Sequence, residues 1–292
     1  MSAVSTESLR VTNPDKLLYP ETGVTKLDYV RTLLELAPYL LPHTSGRVLT
    51  AIRYPHGAGG EFFYQKHLPQ KAPDFVSAIE QGGELFIDLN RPETLAWLGN
   101  LAALEFHTPF CTEAEGMLRA LVFDMDPSEG QNFTDAAECA LLVRDTLREL
   151  GIESLVKTSG ASGLQIYIPC APMTFERGRR VNEFFGQYFS AKYPDKITIE
   201  RLVKNRGSKL YFDYLQMGPG KSIITVYSPR AVPCAAVSMP VDWDELQAGV
   251  KPCDFTLRNA AERLAQRGER FAAVLQGNPN AALEEMMRHA RL

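Results

Sequence analysis

A strand, an amphipathic helix and a tight hairpin follow one another in the middle of the chain, and this order constrains the fold more than any other feature. Arg119 to Met125 has the apolar character of a buried strand, and Thr134 to Leu150 has the spacing of a helix that Gly151 ends. Ser154 to Thr158 and Leu164 to Ile168 are two further strands that a short turn separates. Because a short turn joins antiparallel neighbours, the pattern predicts a mixed α/β sheet and not the parallel array of a Rossmann fold.

Segments on both sides of this unit predict additional helices and strands. Thr25 is a suitable N-cap for a helix from Lys26 to Leu36, and Pro38 and Pro42 are expected to end it. Helical spacing recurs over residues 93–104 and 175–192, and shorter helices are expected near 242–247, 257–266 and 280–290. Strands are predicted at 47–54, 61–66, 85–89, 209–215 and 222–227.

The length and charge of the chain limit the classes of function. Its 292 residues suffice for one large domain, and a hydrophobic content of 45% is ordinary for a soluble globular protein. No apolar run is long enough to span a membrane, and the start at Met1 to Glu7 lacks the pattern of a secretory signal. The formal net charge of −4 argues mildly against extensive contact with nucleic acid, unless the basic residues cluster.

The five cysteines are scattered along the chain, and none lies in a Cys-x-x-Cys motif. Their odd number and their spacing predict neither a zinc site nor a disulfide framework. A reducing cytoplasm is the compartment that this cysteine content favours.

Two acidic residues end the central strand, in the sequence Leu-Val-Phe-Asp124-Met-Asp126-Pro127. Residues two apart in a strand point to the same face, so the two carboxylates are expected to lie side by side. They repel each other unless a cation lies between them, and a hard ion such as Mg²⁺ or Mn²⁺ prefers oxygen ligands. An exposed turn that merely ends the strand explains the Asp-x-Asp motif about equally well.

A third acidic residue, Asp213, lies inside the apolar segment Lys-Leu-Tyr-Phe-Asp-Tyr-Leu. A charge in such a strand is costly unless it faces a cation or an ion-pair partner. Three acids on strands can hold two metal ions, one at a 3′-hydroxyl and one at a triphosphate. An ion pair with Lys209 or Arg206 is the structural alternative.

Small residues form the turn Thr158-Ser159-Gly160-Ala161-Ser162-Gly163 between two of the predicted strands. Such a turn lets backbone N–H groups approach an anion, although a plain hairpin turn has the same composition. Gln165, His107 and Arg230 each offer a polar group that can contact a phosphate, and each residue type is also common in purely structural roles.

Basic and aromatic residues occur together in several segments. Arg53 and Lys66 flank Phe62 and Phe63, Lys16 and Lys26 lie near the start, and four basic residues precede Asp213. Bases stack on aromatic rings while phosphates contact cations, so this combination is typical of a protein that binds the ends of nucleic-acid strands. Because consecutive strand residues point to opposite faces, at least one of the two phenylalanines is expected in the core.

Together, these motifs resemble the polymerase domain of bacterial ligase D, a member of the archaeo-eukaryotic primase superfamily that acts in non-homologous end joining. The resemblance rests on a set of short segments that follow in family order, namely Thr12-Asn13-Pro14-Asp15-Lys16, Arg53-Tyr-Pro, Phe62-Phe63-Tyr-Gln-Lys66, Glu105-Phe-His107, Asp124-Met-Asp126-Pro127, Ser159-Gly160, Phe212-Asp213-Tyr-Leu-Gln and Tyr227-Ser-Pro-Arg230. It implies an α/β (α+β) primase-polymerase fold in a single domain over residues 1–292. An N-terminal α/β lobe (1–115) and an RRM-like catalytic lobe (116–292) are expected to share one cleft.

The resemblance also implies a role for each matching residue. The catalytic acids of a two-metal site with Mn²⁺ or Mg²⁺ are Asp124, Asp126 and Asp213. The residues that contact the incoming NTP or dNTP are His107, Ser159, Gly163, Gln165 and Arg230. The DNA contacts are Asn13, Lys16 and Lys26 at the 5′-phosphate of a gap or break, and Phe62, Phe63, Arg53 and Lys66 at the template.

The activity that the resemblance implies is addition of nucleotides, preferably ribonucleotides, to 3′-hydroxyl ends at gaps and double-strand breaks. The expected partners are gapped DNA or DNA ends with a 5′-phosphate, with Ku and a DNA ligase as further partners and no membrane. The expected location is cytoplasmic, at the nucleoid.

The nucleotide loop departs from the pattern of the family. Many members have Ser-Gly-x-Lys-Gly-Leu-His, whereas this chain has Ser162 in place of the lysine and Gln165 in place of the histidine. The altered loop motivates an alternative function, a non-catalytic DNA-end-binding module that recruits a ligase or Ku. A Mn²⁺-dependent glycosyltransferase is a second alternative, because those enzymes also use an Asp-x-Asp motif.

Overall fold

The computed structural model describes residues 10–292, so the expectation about a secretory signal at Met1 to Glu7 lies outside the described residues. The strands are β1 (Leu17–Tyr19), β2 (Val24–Thr25), β3 (Thr50–Arg53), β4 (Phe63–Gln65), β5 (Ser77–Gln81), β6 (Glu84–Asp88), β7 (Ala103–Thr108), β8 (Leu118–Asp126), β9 (Leu155–Thr158), β10 (Leu164–Met173), β11 (Ile197–Thr198), β12 (Leu210–Phe212), β13 (Ile223–Ile224) and β14 (Pro240–Val241). The helices are α1 (Lys26–Thr44), α2 (Pro92–Asn100), α3 (Phe133–Glu149), α4 (Phe175–Lys192), α5 (Trp243–Gln247), α6 (Ala260–Arg267), α7 (Ala272–Gln276) and α8 (Ala281–His289).

A six-stranded sheet with the order β11-β12-β8-β10-β9-β14 forms the larger layer. Its neighbours are antiparallel except for β11 and β12, which are parallel. Helices α3 and α4 pack on this sheet. The Phe123 ring lies 5.1 Å from Phe185 of α4 and 4.9 Å from Phe212 of β12, so aromatic packing fixes the helix-covered face. Residues of β8 that alternate with Phe123 therefore point to the opposite face.

A second sheet has four strands in the order β13-β7-β3-β4. The chain leaves the six-stranded sheet after β12, adds β13 to the smaller sheet opposite Thr108 and His107, and then returns as β14 beside β9. The two sheets are therefore interleaved along the chain, and a single hydrophobic core extends through both.

Helix α1 begins at the predicted residue but extends beyond the predicted end. Thr25 accepts a hydrogen bond from the Asp28 backbone N–H at 3.2 Å, and the Asp28 side chain bonds back to Thr25, which forms a capping box. The predicted end before Pro38 is wrong, because Pro38 and Pro42 lie inside the helix. Leu40 is fully buried there, and this packing offsets the backbone hydrogen bonds that the prolines remove.

Two other predicted boundaries differ from the structure. The helix expected over residues 93–104 ends at Asn100, and β7 begins at Ala103, which has a positive-φ neighbour in Ala102. The strand near 85–89 is confirmed as β6, but its hairpin partner β5 was not predicted, because its sequence Ser-Ala-Ile-Glu-Gln is mostly exposed and polar. Over residues 10–292, no helix combines the length and the apolar character that crossing a membrane requires.

The expectation that the cysteines form no disulfide is wrong for one pair. Cys234 and Cys253, which lie 19 residues apart, are joined by a disulfide. The adjoining backbone is paired as well, since the Val237 N–H donates to the Phe255 carbonyl at 2.7 Å. The positions of the cysteines in the sequence gave no indication of this disulfide, because the fold brings together two loops that are apart in sequence.

Candidate active site

Two of the three predicted catalytic acids lie on one strand of the six-stranded sheet, and the third follows the adjacent strand, because the strand expected over 209–215 ends at Phe212. Asp124 and Asp126 are on β8, and the Asp213 backbone N–H donates to the Asp124 carbonyl at 3.1 Å, directly after β12. In this register Asp213 is opposite Asp124, and residues opposite each other in an antiparallel pair share one face. Asp124 is buried, whereas Asp126 is exposed at the end of the strand.

Asp213 does not form the ion pair that was considered as an alternative. Its Oδ1 accepts hydrogen bonds from the Tyr211 hydroxyl at 3.1 Å and from the Leu215 N–H at 3.0 Å. The Arg206 guanidinium lies 3.6 Å from the centre of the Tyr211 ring and donates to backbone carbonyls of residues 200 and 201. Arg206 is therefore held by an aromatic ring and by the backbone, and within residues 10–292 Asp213 forms no salt bridge with Arg206 or Lys209.

Burial and mutual repulsion make the two acids of β8 unusually weak. Burial, and then the neighbouring charge of Asp126, raise the pKa of Asp124 to about 7, against a usual value of 3.8. Although the Asp126 side chain is exposed at its surface, desolvation by the protein around the cleft and the charge of Asp213 also raise its pKa. A divalent cation removes this repulsion, so the donor set has the chemistry that Mg²⁺ and Mn²⁺ prefer.

The acids do not yet form a closed cage for a metal ion. Among residues 10–292, no group of three or more His, Cys, Asp or Glu side chains is close enough to hold one as it stands. Asp213 Oδ1 is engaged by Tyr211 and Leu215, and Asp213 does not line the cleft with Asp124 and Asp126. The backbone thus brings the three acids to one edge of the sheet.

The acids open onto a cleft of about 190 Å³. Of the residues that the sequence assigns to metal or nucleotide, all except Asp213 line this cleft, namely His107, Asp124, Asp126, Ser159, Gly163, Gln165 and Arg230. Gln216 and Ser222 complete its polar wall, and the Gln216 side chain donates to the Ser222 carbonyl at 2.9 Å.

The turn between β9 and β10 is braced by its own serine. Ser159 Oγ accepts hydrogen bonds from the N–H groups of Ala161 at 3.2 Å and Gly163 at 3.1 Å. These two N–H groups are therefore engaged within the turn, whereas the Ser159 hydroxyl hydrogen remains available as a donor. The turn differs in this respect from the expected cradle of free N–H groups.

Gly163 is required by a close approach of the turn to the acidic strand. A Cβ atom at this position would lie 3.1 Å from the Met125 carbonyl oxygen and 3.2 Å from Asp126 Oδ1. We expect Gly163→Ala to displace the Asp126 carboxylate and to lower nucleotide addition about tenfold or more, since small displacements at a reacting centre are costly. Primer extension measures this loss, and thermal unfolding checks that the protein remains folded.

Gly218→Ala is the matched control for this substitution. A Cβ atom at Gly218 would meet its nearest neighbour, the Leu215 carbonyl oxygen, at an ordinary 3.6 Å. Its extension rate is expected to stay near that of the wild type. A Gly163→Ala protein that extends primers at the wild-type rate would show that this close approach has no part in catalysis.

Gln165 is buried, and both ends of its amide are hydrogen-bonded. Its Nε2 donates to Asp124 Oδ1 at 2.9 Å, and its Oε1 accepts from Lys157 Nζ at 2.7 Å. Lys157 is itself fully buried, and burial lowers the pKa of its ammonium group to about 7. The amide retains one N–H hydrogen that can face the cleft.

A buried carboxylate, Glu105, contacts both His107 and Arg230, and burial lowers the pKa of His107 and so favours its neutral form. Its Oε2 lies 2.9 Å from His107 Nε2 and 3.2 Å from an Arg230 guanidinium nitrogen, while its Oε1 accepts from the Ala231 N–H at 3.2 Å. Burial raises the pKa of Glu105, but the hydrogen bond from His107 and the charge of Arg230 outweigh it, so the net pKa is lowered. Glu105 is therefore a carboxylate that fixes the positions of both groups.

Of the residues expected at a 5′-phosphate, Lys16 and Lys26 lie next to each other near the start of the chain. The Lys26 N–H donates to the Lys16 carbonyl at 2.8 Å, and Lys16 Nζ donates to the Pro55 carbonyl at 2.5 Å. Burial and the charge of Lys16 lower the pKa of the buried Lys26. Asn13 is exposed in the turn that leads to Lys16 and has a positive φ of 48°. Two lysines held side by side without a carboxylate between them suit an anion.

The aromatic pair is exposed, which corrects the expectation that one ring belongs to the core. Phe62 and Phe63 expose 51% and 44% of their surfaces, because they lie at the start of β4, a short strand at the edge of its sheet. The Arg53 guanidinium lies 4.9 Å from the centre of the Phe63 ring and donates to Gln65 Oε1 at 2.9 Å. Lys66 is exposed next to them. These rings form a surface on which bases can stack.

Known proteins are similar to this chain over most of its length. Residues 25–271 match the family model described as LigD, primase-polymerase domain. The bifunctional non-homologous end joining protein LigD of Bacillus subtilis is 38% identical over 262 residues, which cover 89% of this chain and 43% of that protein. This chain belongs to the LigD primase-polymerase family.

Other LigD proteins and a solved LigD structure agree with this assignment. The multifunctional LigD of Mycolicibacterium smegmatis is 34% identical over 248 residues, which cover 82% of this chain and 32% of that protein. The polymerase domain from Mycobacterium tuberculosis ligase D, solved in complex with DNA, matches with a TM-score of 0.83 and 29% identity over 94% of this chain and 100% of that chain. The predicted α/β primase-polymerase fold is confirmed. The chain spans less than half the length of these curated LigD relatives.

Two residues of the LigD-type site were not predicted, namely Lys157 and Glu105. A signal for Lys157 exists in the sequence, because residues at equal distances from a hairpin turn face each other, and Lys157 pairs with Gln165 in this way. Glu105 lies two residues before His107 on the same strand and so shares its face. Both signals depend on exact register, which the sequence alone leaves open.

Proposed function

We propose that this chain is a DNA repair polymerase of the LigD type that adds nucleotides, preferably ribonucleotides, to 3′-hydroxyl ends at gaps and double-strand breaks during non-homologous end joining. One observation carries the proposal. Asp124 and Asp126 on β8 lie in a cleft beside a small-residue turn and Arg230, and Asp213 follows the adjacent strand opposite Asp124. Acids opposite a cationic side chain suit a nucleotide whose triphosphate is held at two sides.

Each polar side chain of the cleft has its own role in nucleotidyl transfer. Arg230, which Glu105 holds in place, contacts the triphosphate and neutralises part of its charge, while His107, whose pKa is lowered by burial, lies beside it in the cleft. The Ser159 hydroxyl donates to a phosphate oxygen, and the remaining N–H hydrogen of Gln165 does the same. The primer 3′-hydroxyl attacks the α-phosphate, and pyrophosphate leaves toward Arg230.

Asp124, Asp126 and Asp213 would hold two divalent ions, Mn²⁺ or Mg²⁺. Bound ions of this kind lower the pKa of a primer 3′-hydroxyl and stabilise charge on the departing pyrophosphate. The raised pKa of Asp124 supports the assignment, since a pair of acids that repel each other binds a cation in exchange for protons.

Contacts with DNA involve the exposed aromatic pair and the two adjacent lysines. Phe62 and Phe63 stack on template bases, while Arg53 and Lys66 contact the flanking phosphates. Lys16, Lys26 and Asn13 receive the 5′-phosphate on the far side of the gap. The similar polymerase domain of Mycobacterium tuberculosis ligase D, which was solved in complex with DNA, supports a DNA substrate.

Primer extension on a 5′-phosphorylated gapped duplex tests the proposal. The wild-type protein is expected to incorporate labelled nucleotide with Mn²⁺ or Mg²⁺, and faster with ribonucleotides than with deoxynucleotides. Binding of the gapped duplex without any incorporation would favour the non-catalytic end-binding module instead. Tight binding of a nucleotide sugar without binding of DNA would favour a glycosyltransferase.

Lys16→Gln and Lys26→Gln are expected to remove the preference for a 5′-phosphate. The wild-type protein should bind a phosphorylated gap about tenfold more tightly than an unphosphorylated one, because a terminal phosphate adds contacts to both lysines. Fluorescence anisotropy with the two duplexes at one salt concentration measures the ratio. The exposed Lys196→Gln serves as the control, and equal wild-type affinity for both duplexes would disprove the assignment.

Partners and location follow from the proposed role. We infer that Ku and a DNA ligase act with this chain at a break, as expected for an end-joining polymerase, and that it works in the cytoplasm at the nucleoid. Co-purification with Ku on linear DNA, compared with circular DNA, tests the partnership.

A further inference from the structure

Lys157 is a fully buried lysine whose hydrogen-bond partners are both neutral. Its Nζ donates to Gln165 Oε1 and to Ser238 Oγ, each at 2.7 Å. Ser238 is also fully buried and donates to the Thr158 carbonyl at 2.9 Å, so the ammonium group is enclosed by protein. A buried lysine without a carboxylate partner is unfavourable for folding, which makes a functional reason for its presence the better explanation.

The amino group of Lys157 determines how the neighbouring amide is oriented. Its Nζ donates a hydrogen bond to Gln165, so Gln165 presents its oxygen to Lys157 and its NH₂ group to the other side. That NH₂ group donates to Asp124 Oδ1 at 2.9 Å. The three residues are in register across β9, β10 and β8, because Lys157 pairs with Gln165 and Gln165 pairs with Asp124.

The amide holds one carboxylate oxygen of Asp124 and leaves the other available. Within the described part of the chain, Asp124 Oδ1 accepts the bond from Gln165 and Oδ2 accepts none. The residue lines the cleft with Asp126 and Ser159. A neutral amide restrains a carboxylate without neutralising it, whereas a lysine in direct contact would compete with a metal ion for the same negative charge.

We propose that Lys157 is a positioning residue for metal binding, which acts through Gln165 to fix the Asp124 carboxylate in the orientation that receives a divalent cation. The inference rests on the proposed function, in which Asp124 binds that cation. Groups that orient a metal ligand from behind typically change metal affinity or activity by about 10- to 100-fold.

Lys157→Met keeps the length of the side chain and removes the ammonium group. In the full chain without DNA or nucleotide, Mn²⁺ affinity measured by electron paramagnetic resonance of the free ion is expected to fall about tenfold or more. In primer extension, the variant should need a correspondingly higher Mn²⁺ concentration for half-maximal rate, with an unchanged KM for DNA. Lys196→Met, which changes an exposed lysine, is the matched control and should bind Mn²⁺ like the wild type.

A double substitution tests whether the lysine acts through the amide. Gln165→Leu alone should also weaken Mn²⁺ binding, and Lys157→Met should cause no further loss in the Gln165→Leu background. The proposal that Lys157 acts through Gln165 is overturned if the two substitutions lower Mn²⁺ affinity independently, so that their effects multiply. It is also overturned if both single variants bind Mn²⁺ like the wild type. The double variant removes both the buried charge and the amide that contacts it, so it is expected to stay folded. It serves as the reference if thermal unfolding shows that a single variant is unstable.

Asp124→Asn separates failure of this inference from failure of the proposed function. If Asp124→Asn binds Mn²⁺ as tightly as the wild type, the proposed metal site is wrong, and the positioning role falls with it. If Asp124→Asn loses binding while Lys157→Met and Gln165→Leu keep it, the metal site stands and only the role of Lys157 is rejected.

Discussion

Asp124→Asn is expected to reduce nucleotide addition by about 10³-fold or more while it leaves the affinity for gapped DNA nearly unchanged. Asparagine keeps the size of the side chain and can still accept the hydrogen bond from Gln165, so the fold around β8 is preserved. It lacks the negative charge that a divalent cation requires. The DNA contacts proposed for Phe62 and Lys16 belong to other segments and are not altered.

The same substitution is expected to stabilise the metal-free protein at pH 8. The pKa of Asp124 is raised from 3.8 to about 7, so the folded state holds its proton more tightly than the unfolded state does. Stability is therefore lost as the pH rises from about 4 to about 7, and the loss remains above that range. Asparagine has no proton to lose, so the gain in stability should be larger at pH 8 than at pH 5, on the order of a few kcal/mol at pH 8.

Three measurements test this prediction together. Single-turnover extension of a 5′-phosphorylated gapped duplex gives the rate, anisotropy gives DNA affinity, and thermal unfolding with EDTA at pH 5 and pH 8 gives stability. Asp195→Asn, which changes an exposed aspartate after α4, is the matched control and should behave like the wild type in all three. Undiminished extension by Asp124→Asn would reject its assignment as a catalytic acid.

Arg230→Met is expected to raise the KM for the nucleotide about 10- to 100-fold, because a charge-assisted bond to phosphate contributes about 1.5 to 3 kcal/mol. The substitution also removes the cation that lies 3.2 Å from Glu105. A buried carboxylate that loses a charged partner destabilises the fold, by about 3 kcal/mol where the group is well enclosed. Arg230→Met should therefore lower both nucleotide affinity and stability.

Adding Glu105→Gln to this variant should separate the two effects. The neutral glutamine no longer needs a cation, so thermal stability is expected to recover while the KM for the nucleotide stays high. Steady-state extension at several nucleotide concentrations measures the KM, and Arg270→Met, a half-exposed surface arginine near Asp242, is the control. Recovery of the nucleotide KM in the double variant would show that Arg230 acts on stability and not on the nucleotide.

The regular elements of the larger sheet were predictable because each carries a strong local pattern. The helix from Phe133 to Glu149 and the helix from Phe175 to Lys192 were located to within about a residue, since their apolar spacing and their caps agree. The small-residue turn placed β9 beside β10. The acidic pair on β8 followed from the alternation of side chains in a strand.

Features that depend on packing between distant segments were not predictable. Pro38 and Pro42 are local signals for a helix end, but the burial of Leu40 overrides them. Phe62 and Phe63 have the composition of a core, yet they lie exposed at the edge of the four-stranded sheet. The Cys234–Cys253 pair is formed by the meeting of two loops. In each case local propensity is overcome by tertiary context.

The path of β13 has a consequence for any attempt to divide this chain in two. A fragment over residues 1–115 would lack the strand that completes the four-stranded sheet beside β7, and it would expose a bare edge at Thr108 and His107. The remaining fragment would carry that strand with nothing to pair with. Separately expressed halves are therefore expected to restore the protein only if both are present during folding. A protease cut near residue 115 is expected to leave the two halves associated, because β13 stays paired with β7.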